Sequence, residues 1–334
     1  MGYRALSKYR SELMGLAMLW VMCFHAFDLD LGREWLNNLR SDGFGGVDVF
    51  ILLSSVGLVM SLERREREYG AFLRRRAARI LPAYYAVMLP FTAYLIVKDG
   101  IPSTALLWNS TLLNYWVRCK GSFNWYVSGA MIFYALTPMC WRFLRKRQNR
   151  GAWTLLGCAL GLLVCQWLMQ VGYWQYMDLF YRVPIFFLGL LIGLYCAEDR
   201  KLTRRIAALW ALCFLFGLAY IAFVRRKIDT SPVYVMLCHA FVFTTVPGCL
   251  GCCLLFEKLP LEWLRRALRT VGENSLEIYL LNVSVFSRYA EFRAYTFFGP
   301  SHRLYFLLQF IVNIALGCLL HRAMETLKKR RSHT

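Results

Sequence analysis

The chain has 334 residues, of which 58% are hydrophobic and 18% charged, and its formal net charge is +20. Soluble domains are about half apolar and a quarter charged, so this composition indicates many membrane-spanning segments. It excludes intrinsic disorder, and it excludes a water-soluble domain that binds nucleic acid through its basic residues.

Ten apolar stretches are long enough, or nearly so, to cross a bilayer as helices. We predict an all-α integral membrane protein: one transmembrane bundle of about ten helices occupies 1–334, with a short basic tail from about 322. The predicted spans are 13–29, 43–62, 80–97, 123–141, 153–171, 179–197, 206–224, 233–256, 275–287 and 304–321.

Two further predictions concern the first span and the connection between the third and fourth spans. The first span follows Arg4, Lys8 and Arg10 as in a signal peptide, but no small-residue cleavage motif comes after it. We therefore expect this span to be retained. The connection between the third and fourth spans contains residues 101–116, which we predict to hold a short helix at the membrane interface.

The distribution of basic residues predicts the orientation of the bundle. With the N-terminus in the cytoplasm, 28 of the 40 Lys and Arg residues fall in cytoplasmic loops and termini. Short cytoplasmic loops are enriched in Lys and Arg, so the bias favours ten spans with both termini inside. We expect the protein to lie in the plasma (inner) membrane of a bacterium.

Ionisable side chains inside the spans are the first candidates for function, because the bilayer makes them costly. His25 and Asp48 lie in the outer halves of the first and second spans, which a short connection joins. A carboxylate that accepts one ring N–H raises the basicity of the other nitrogen, so we predict a catalytic pair. His239, also in an outer half, is a third candidate or a packing residue. Glu277, near an inner end, is expected to reach water.

The densest basic cluster precedes the third span and includes Arg75, Arg76 and Arg79. Its simplest interpretation is a topology signal that also attracts anionic lipid. Residues three or four apart share a helix face, and guanidinium groups on one face suit a ligand with several phosphates. Both interpretations stay open on spacing alone.

The remaining motifs exclude several kinds of chemistry. Most of the 12 cysteines lie inside spans, so no disulfide framework is implied, and no second ligand pair supports a metal site. Neither a phosphate-binding glycine loop nor a G-x-S-x-G motif is present. An ATP-driven pump and a serine hydrolase therefore lack their characteristic parts.

Five motifs together resemble membrane-bound acyltransferase family 3, from about Tyr9 to about Leu327. The first motif leads to Phe24-His25, and the fourth is followed by Phe133-Tyr134 and Pro138. The five motifs are SELMGLA at 11–17, GVDVF at 46–50, RRAARILPAY at 75–84, NWYVS at 124–128 and GENSLEIYL at 272–280.

The resemblance implies a membrane acyltransferase that takes an acyl group, expected to be acetyl, from cytoplasmic acetyl-CoA. The acceptor would be a hydroxyl of an extracytoplasmic or lipid-linked carbohydrate. His25 and Asp48 match the family's catalytic histidine and motif aspartate, and Arg76 and Arg79 match its paired basic residues. With Arg75, these would contact the phosphates of CoA, and no metal is implied.

Five further side chains are predicted on the acceptor side: Trp125, Tyr126, Ser128, Tyr134 and His239. Membrane lipids are expected partners, and homo-oligomerisation is left open. His25 would act either as general base or as covalent acyl carrier.

The chain also departs from the family pattern. Met14 stands where the family usually has an arginine, eleven residues before the histidine, and Arg10 lies one turn below it. Asn282 stands where many relatives carry histidine. These departures leave two other functions open: a transporter or flippase of a small polar or amino-acid substrate, and a sensor or assembly partner without chemistry.

Overall fold

The computed structural model describes residues 1–117, 123–227, 232–259, 261–288 and 302–332. Within these ranges the regular structure is helical, as predicted, and no strand occurs. Two single-turn 3₁₀ segments, Asp42–Gly45 and Trp174–Tyr176, precede α4 and α10. The helices are α1 Ala5–Lys8, α2 Arg10–His25, α3 Glu34–Ser41, α4 Gly46–Arg64, α5 Tyr69–Asp99, α6 Thr104–Ser110, α7 Asn114–Val117, α8 Trp125–Arg145, α9 Arg150–Gln170, α10 Met177–Phe180, α11 Val183–Ala197, α12 Arg204–Lys227, α13 Pro232–Lys258, α14 Glu262–Glu273, α15 Ser275–Val283 and α16 His302–Ser332.

Eight helical stretches in the described part of the chain are long and apolar enough to cross a membrane. The first and ninth predicted spans are not among them. They correspond to α2, with 16 residues, and α15, with nine, whereas a bilayer core requires about 20 residues. The length criterion therefore supports eight spans, and ten stays a prediction. The short helix predicted within 101–116 is confirmed by α6 and α7, and its position at the membrane interface stays a prediction.

Contacts between loops define two ends of the bundle. At the first, here called the basic end, the N-terminus meets the α11–α12 loop, since Tyr3 N donates to the Arg200 carbonyl at 3.1 Å. Arg142 of α8 pairs there with Glu66, beyond α4, at 3.1 Å. At the second, here called the histidine end, two more bonds join connections to helices. Arg40 donates to the Ala26 carbonyl at 2.9 Å, and Arg225 of α12 pairs with Asp42 at 2.5 Å.

Small residues bring the central helices into direct contact. A Cβ added at Gly46 of α4 would lie 2.6 Å from the Ala17 carbonyl oxygen of α2. One added at Gly189 of α11 would lie 2.9 Å from the Leu52 carbonyl oxygen of α4. Such close backbone approach is typical of helix packing in membranes. It makes α4 the centre of the bundle, between α2 and α11.

Peripheral helices expose large apolar side chains. On α12, Leu209, Leu212 and Leu215 are each at least 60% exposed. An apolar surface of this extent marks a membrane or protein interface. The long α16 continues through the predicted basic tail to Ser332, so the tail is helical as far as the structure describes it.

Candidate functional site

A cavity of about 540 Å³ lies among α2, α4, α5, α8, α14, α15 and α16, at the basic end. Its walls carry charged side chains from five helices and aromatic side chains from three. The charged ones are Arg10, Arg76, Arg79, Glu273, Glu277, Glu325 and Lys328, and the aromatic ones are Phe50, Tyr126, Tyr134 and Tyr279. The cavity is large enough for a small organic ligand.

Three arginines of the cavity have no carboxylate partner among the described residues. They are Arg10, Arg76 and Arg79, and Nε of Arg76 is buried without a hydrogen-bond acceptor there. Some other arginines at the basic end do have a carboxylate partner: Arg269, for example, binds Glu12 at 2.7 Å. Uncompensated guanidinium groups in one cavity favour an anionic ligand, because Arg matches phosphate geometry in bidentate fashion.

The sequence-predicted basic residues separate into two groups. Arg76 and Arg79 line the cavity, three residues apart on one face of α5. Arg75 is exposed and lies outside the cavity wall, because a neighbouring helical position is rotated by about 100°. The structure thus brings together two of the three residues expected to contact CoA.

Arg10 is a cavity residue outside the predicted site. Its Nε donates to the Leu53 carbonyl of α4 at 3.2 Å, and its side chain lies over Gly57. A Cβ at position 57 would be 3.3 Å from this Nε, so the glycine provides room for the guanidinium. Met14 lines the same cavity, and the cation on α2 is therefore placed one turn earlier than in the family pattern.

Two of the three carboxylates of the cavity, those of Glu277 and Glu325, are held by other groups. Glu277 Oε1 lies 3.0 Å from His321 Nδ1, and Glu325 Oε1 accepts a hydrogen bond from Lys328 at 2.6 Å. His321 is the last residue of the predicted tenth span, and Glu325 and Lys328 belong to the basic tail, which the sequence suggested only as a topology signal. Glu277 and Glu325 are therefore bonded to groups of α16 rather than to the three arginines.

Aromatic rings close the inner end of the cavity. The rings of Tyr126 and Tyr279 are 5.2 Å apart, and those of Phe50 and Tyr126 are 6.4 Å apart. Tyr279 precedes Asn282 by three residues on α15, a rise of about 4.5 Å along the helix axis. The cavity therefore ends about one helical turn from Asn282.

His25, the last residue of α2, is held by Asn282. Its Nδ1 lies 2.6 Å from Asn282 Oδ1, and Asn282 is only 3% exposed. Since an amide oxygen can only accept, Nδ1 carries the proton and donates it to this oxygen. The other ring nitrogen, Nε2, then has a free lone pair, as a base or a nucleophile requires.

The predicted hydrogen bond between His25 and Asp48 is wrong. Asp48 is buried against Arg182, with 3.5 Å between Oδ2 and Nε, and both side chains are 1% exposed. Gly46 is the position of α4 that packs on α2, and Asp48 lies about 200° further around the helix. Both residues lie in the half of the bundle toward the histidine end, as predicted, but not at matching depth. Gly46 packs at the level of Ala17, eight residues before His25, so Asp48 lies about 12 Å or more from His25 along the bundle and faces α11.

Arg182 is the second functional candidate missing from the sequence prediction. Its guanidinium donates to the carbonyls of Asp178 at 2.5 Å and Phe44 at 3.3 Å. It also lies over the rings of Trp125 and Tyr181, at 4.8 and 4.3 Å from their centroids. These contacts tie α4, α8 and α11 together next to the histidine end.

The predicted acceptor-side residues are dispersed. Trp125 packs on Arg182, and Ser128 is buried with its hydroxyl donating to Asn114 Oδ1 at 3.1 Å. Tyr126 and Tyr134 line the cavity at the basic end instead. His239 is half-buried on α13, and no hydrogen bond joins its ring to the described residues.

Comparison with known proteins identifies the family. A family model described as "Acyltransferase domain" matches residues 13–322. The chain therefore belongs to acyltransferase family 3, and it is a multi-pass membrane protein. No curated protein and no solved structure matches it.

Proposed function

We propose that the protein transfers an acetyl group from acetyl-CoA to a hydroxyl of an extracytoplasmic or lipid-linked carbohydrate. Family membership supports acyl transfer by a membrane enzyme. The acetyl donor, the carbohydrate acceptor and the role of His25 are the further parts of this proposal.

The observation that carries the proposal is the cavity with three unpaired arginines. Arg10, Arg76 and Arg79 offer guanidinium groups to the phosphates of CoA, and the cavity walls become aromatic toward its inner end. CoA fits this order of side chains, because it carries phosphates at one end and a narrow, less polar arm that bears the acyl group at the other. The acyl group would then point toward Asn282 and His25.

His25 performs the proton transfer in this proposal. Its Nε2, freed by the hydrogen bond from Nδ1 to Asn282, accepts the proton of the acceptor hydroxyl as that oxygen attacks the acyl carbon. The same nitrogen would alternatively take the acyl group covalently and pass it to the acceptor. In both routes Asn282 has the orienting role that was predicted for Asp48.

The proposed orientation places the basic end in the cytoplasm. In it, α2 and the short α15 also cross the bilayer, which gives ten spans with both termini inside. The N-terminal residues and the end of α16 then lie in the compartment that supplies acyl-CoA. The proposed location is the plasma membrane of a bacterium, with the histidine end toward the acceptor.

The test is mass spectrometry of the surface glycans of cells with the parent protein, without it, and with His25→Ala. His239→Ala is the matched control, because His239 is also half-buried in a long apolar helix but has no part in the proposal. We expect acetylated glycans with the parent and the control, and none with His25→Ala at equal protein levels. Unchanged acetylation with His25→Ala would refute the proposal.

Titration with CoA separates the enzyme from a transporter. An acyltransferase of this kind binds CoA through Arg76 and Arg79, whereas a transporter of a small polar substrate has no reason to bind it. Absence of CoA binding by the purified parent protein would favour transport.

A further inference from the structure

A buried asparagine on α16 carries polar groups that the described part of the chain leaves unsatisfied. Asn313 is 0% exposed, and neither its Oδ1 nor its Nδ2 has a hydrogen-bond partner among the described residues. Burying an amide without a partner is costly, and buried polar groups in native proteins are almost always bonded. An unpaired amide at this position therefore suggests a ligand that supplies the missing bonds.

Two contacts fix how α16 lies against α15 and the turn that follows it. A Cβ at Gly317 would come within 3.0 Å of the Ile278 Cα, so the two backbones touch at this level. Gln309 Nε2 donates to the Phe286 carbonyl at 2.9 Å. Residue numbers fall along one segment as they rise along the other, so the two run antiparallel.

Asn313 lies midway between these contacts. Asn313 lies four residues before Gly317 on α16, and Asn282 lies four residues after Ile278 on α15. Residues four apart share a helix face, and the Gln309 contact lies one turn beyond Asn313, so Asn313 lies at the level of Asn282, the residue that holds His25.

The packing of α16 on the end of α2 agrees with this placement. Phe306 forms a buried cluster with Ala26 and Leu29, and Phe310 packs against it. Ala26 directly follows His25, and Asn313 is one turn further along α16 than Phe310. The unpaired amide therefore lies beside the histidine site rather than in a separate part of the bundle.

We propose that Asn313 is the oxyanion donor of the acyl-transfer site. This inference rests on the proposed acyl transfer at His25. Nδ2 of Asn313 donates to the carbonyl oxygen of the acyl group, which becomes negatively charged as the tetrahedral intermediate forms. Amide donors held in place for a developing oxyanion are a common and large source of catalysis.

The transfer step balances with these groups. The acceptor oxygen bonds to the acyl carbon while its proton moves to His25 Nε2, and the carbonyl electrons move onto the oxygen facing Asn313. Collapse of the intermediate breaks the carbon–sulfur bond, and the thiolate of CoA takes the proton from His25. Asn313 gives up no proton and acts through its hydrogen bond.

The test uses membranes that contain the host's own acceptor, with acetyl-CoA labelled in its acetyl group. Initial rates of label transfer into lipid-linked and polysaccharide fractions give kcat and the KM for acetyl-CoA. The variants are Asn313→Leu, which removes the amide, and Asn313→Ser, which keeps a donor. Ile314→Ala is the control, because it perturbs the packing at the neighbouring position of α16 but removes no polar group.

We expect Asn313→Leu to lower kcat about 100- to 1,000-fold with an unchanged KM. Its melting temperature should not fall, because an apolar side chain replaces an unpaired buried amide. Asn313→Ser should recover part of kcat, and Ile314→Ala should retain the parental value. A parental kcat in Asn313→Leu, or no recovery in Asn313→Ser, would overturn the inference while leaving the proposed function intact. A parent protein without transfer activity would refute both.

Discussion

Removing one cavity arginine is expected to weaken CoA binding without affecting the fold. Arg76 is the sharpest choice, because it lines the cavity, its Nε is buried, and it has no carboxylate partner among the described residues. A hydrogen bond to a charged group contributes about 1.5–3 kcal/mol, and 1.4 kcal/mol corresponds to a factor of ten. Arg76→Ala should therefore raise the Kd for CoA about 10- to 100-fold. The more exposed Arg79 should give the lower end of this range.

The assay is calorimetric titration of the detergent-solubilised protein with CoA. Arg75→Ala is the matched control, since Arg75 directly precedes Arg76 on α5 but lies outside the cavity wall. It removes the same charge and should leave the Kd within about twofold, because exposed charges are screened by salt. Equal weakening by Arg75→Ala and Arg76→Ala would refute the reasoning, since a general charge effect would then account for binding.

Three other substitutions test separate parts of the account. Gly57→Leu should displace Arg10 and raise the Kd for CoA to that of Arg10→Ala in the same titration; a parental Kd would contradict the placement of Arg10. Arg182→Leu should destabilise the protein by about 3–5 kcal/mol, and adding Asp48→Leu should recover most of it. Thermal unfolding in detergent measures both, and a double variant no more stable than the single one would argue against the pair. Asn282→Leu should lower the rate of acetyl transfer about 100-fold at unchanged CoA affinity, because His25 loses its fixed tautomer; a parental rate would contradict this role.

The end of the bundle at which each key residue lies could be predicted from the sequence. Hydropathy and the distribution of basic residues placed His25 and Asp48 at one level of the bundle, and Arg76 and Arg79 near the opposite end. These predictions depend only on the rise per residue of a helix and on the cost of charge in lipid. The structure agrees on the end of the bundle at which each residue lies, because neither quantity depends on which helices are neighbours. It separates His25 and Asp48 by about 12 Å or more in depth, since Gly46 packs at the level of Ala17.

The rotation of each helix about its axis could not be predicted. Asp48 faces Arg182 because Gly46, two residues earlier, is the contact with α2, and nothing in the sequence ranks these two faces. The burial of Arg182 was hidden for a similar reason, since an arginine before an apolar stretch resembles an interfacial anchor.

Residues whose role depends on contacts between distant segments could not be predicted from the sequence either. Arg10 reaches the cavity because Gly57, on another helix, leaves space for its guanidinium. Asn282 was noticed only as a departure from the family pattern, and its contact with His25 joins residues 257 positions apart. A single sequence carries no signal for such pairs, because each depends on the register between packed helices.

The most direct test of the central claim is acetyl transfer by the purified protein in lipid vesicles with a carbohydrate-lipid acceptor. Release of the CoA thiol and appearance of labelled product are measured together for the parent, His25→Ala and the double variant Arg76→Ala/Arg79→Ala. We expect the parent to release thiol and form product in equal amounts, and His25→Ala to bind CoA with the parental Kd but form no product. The arginine variant should regain activity when acetyl-CoA is raised toward saturation. Product formation by His25→Ala at the parental rate would contradict the account.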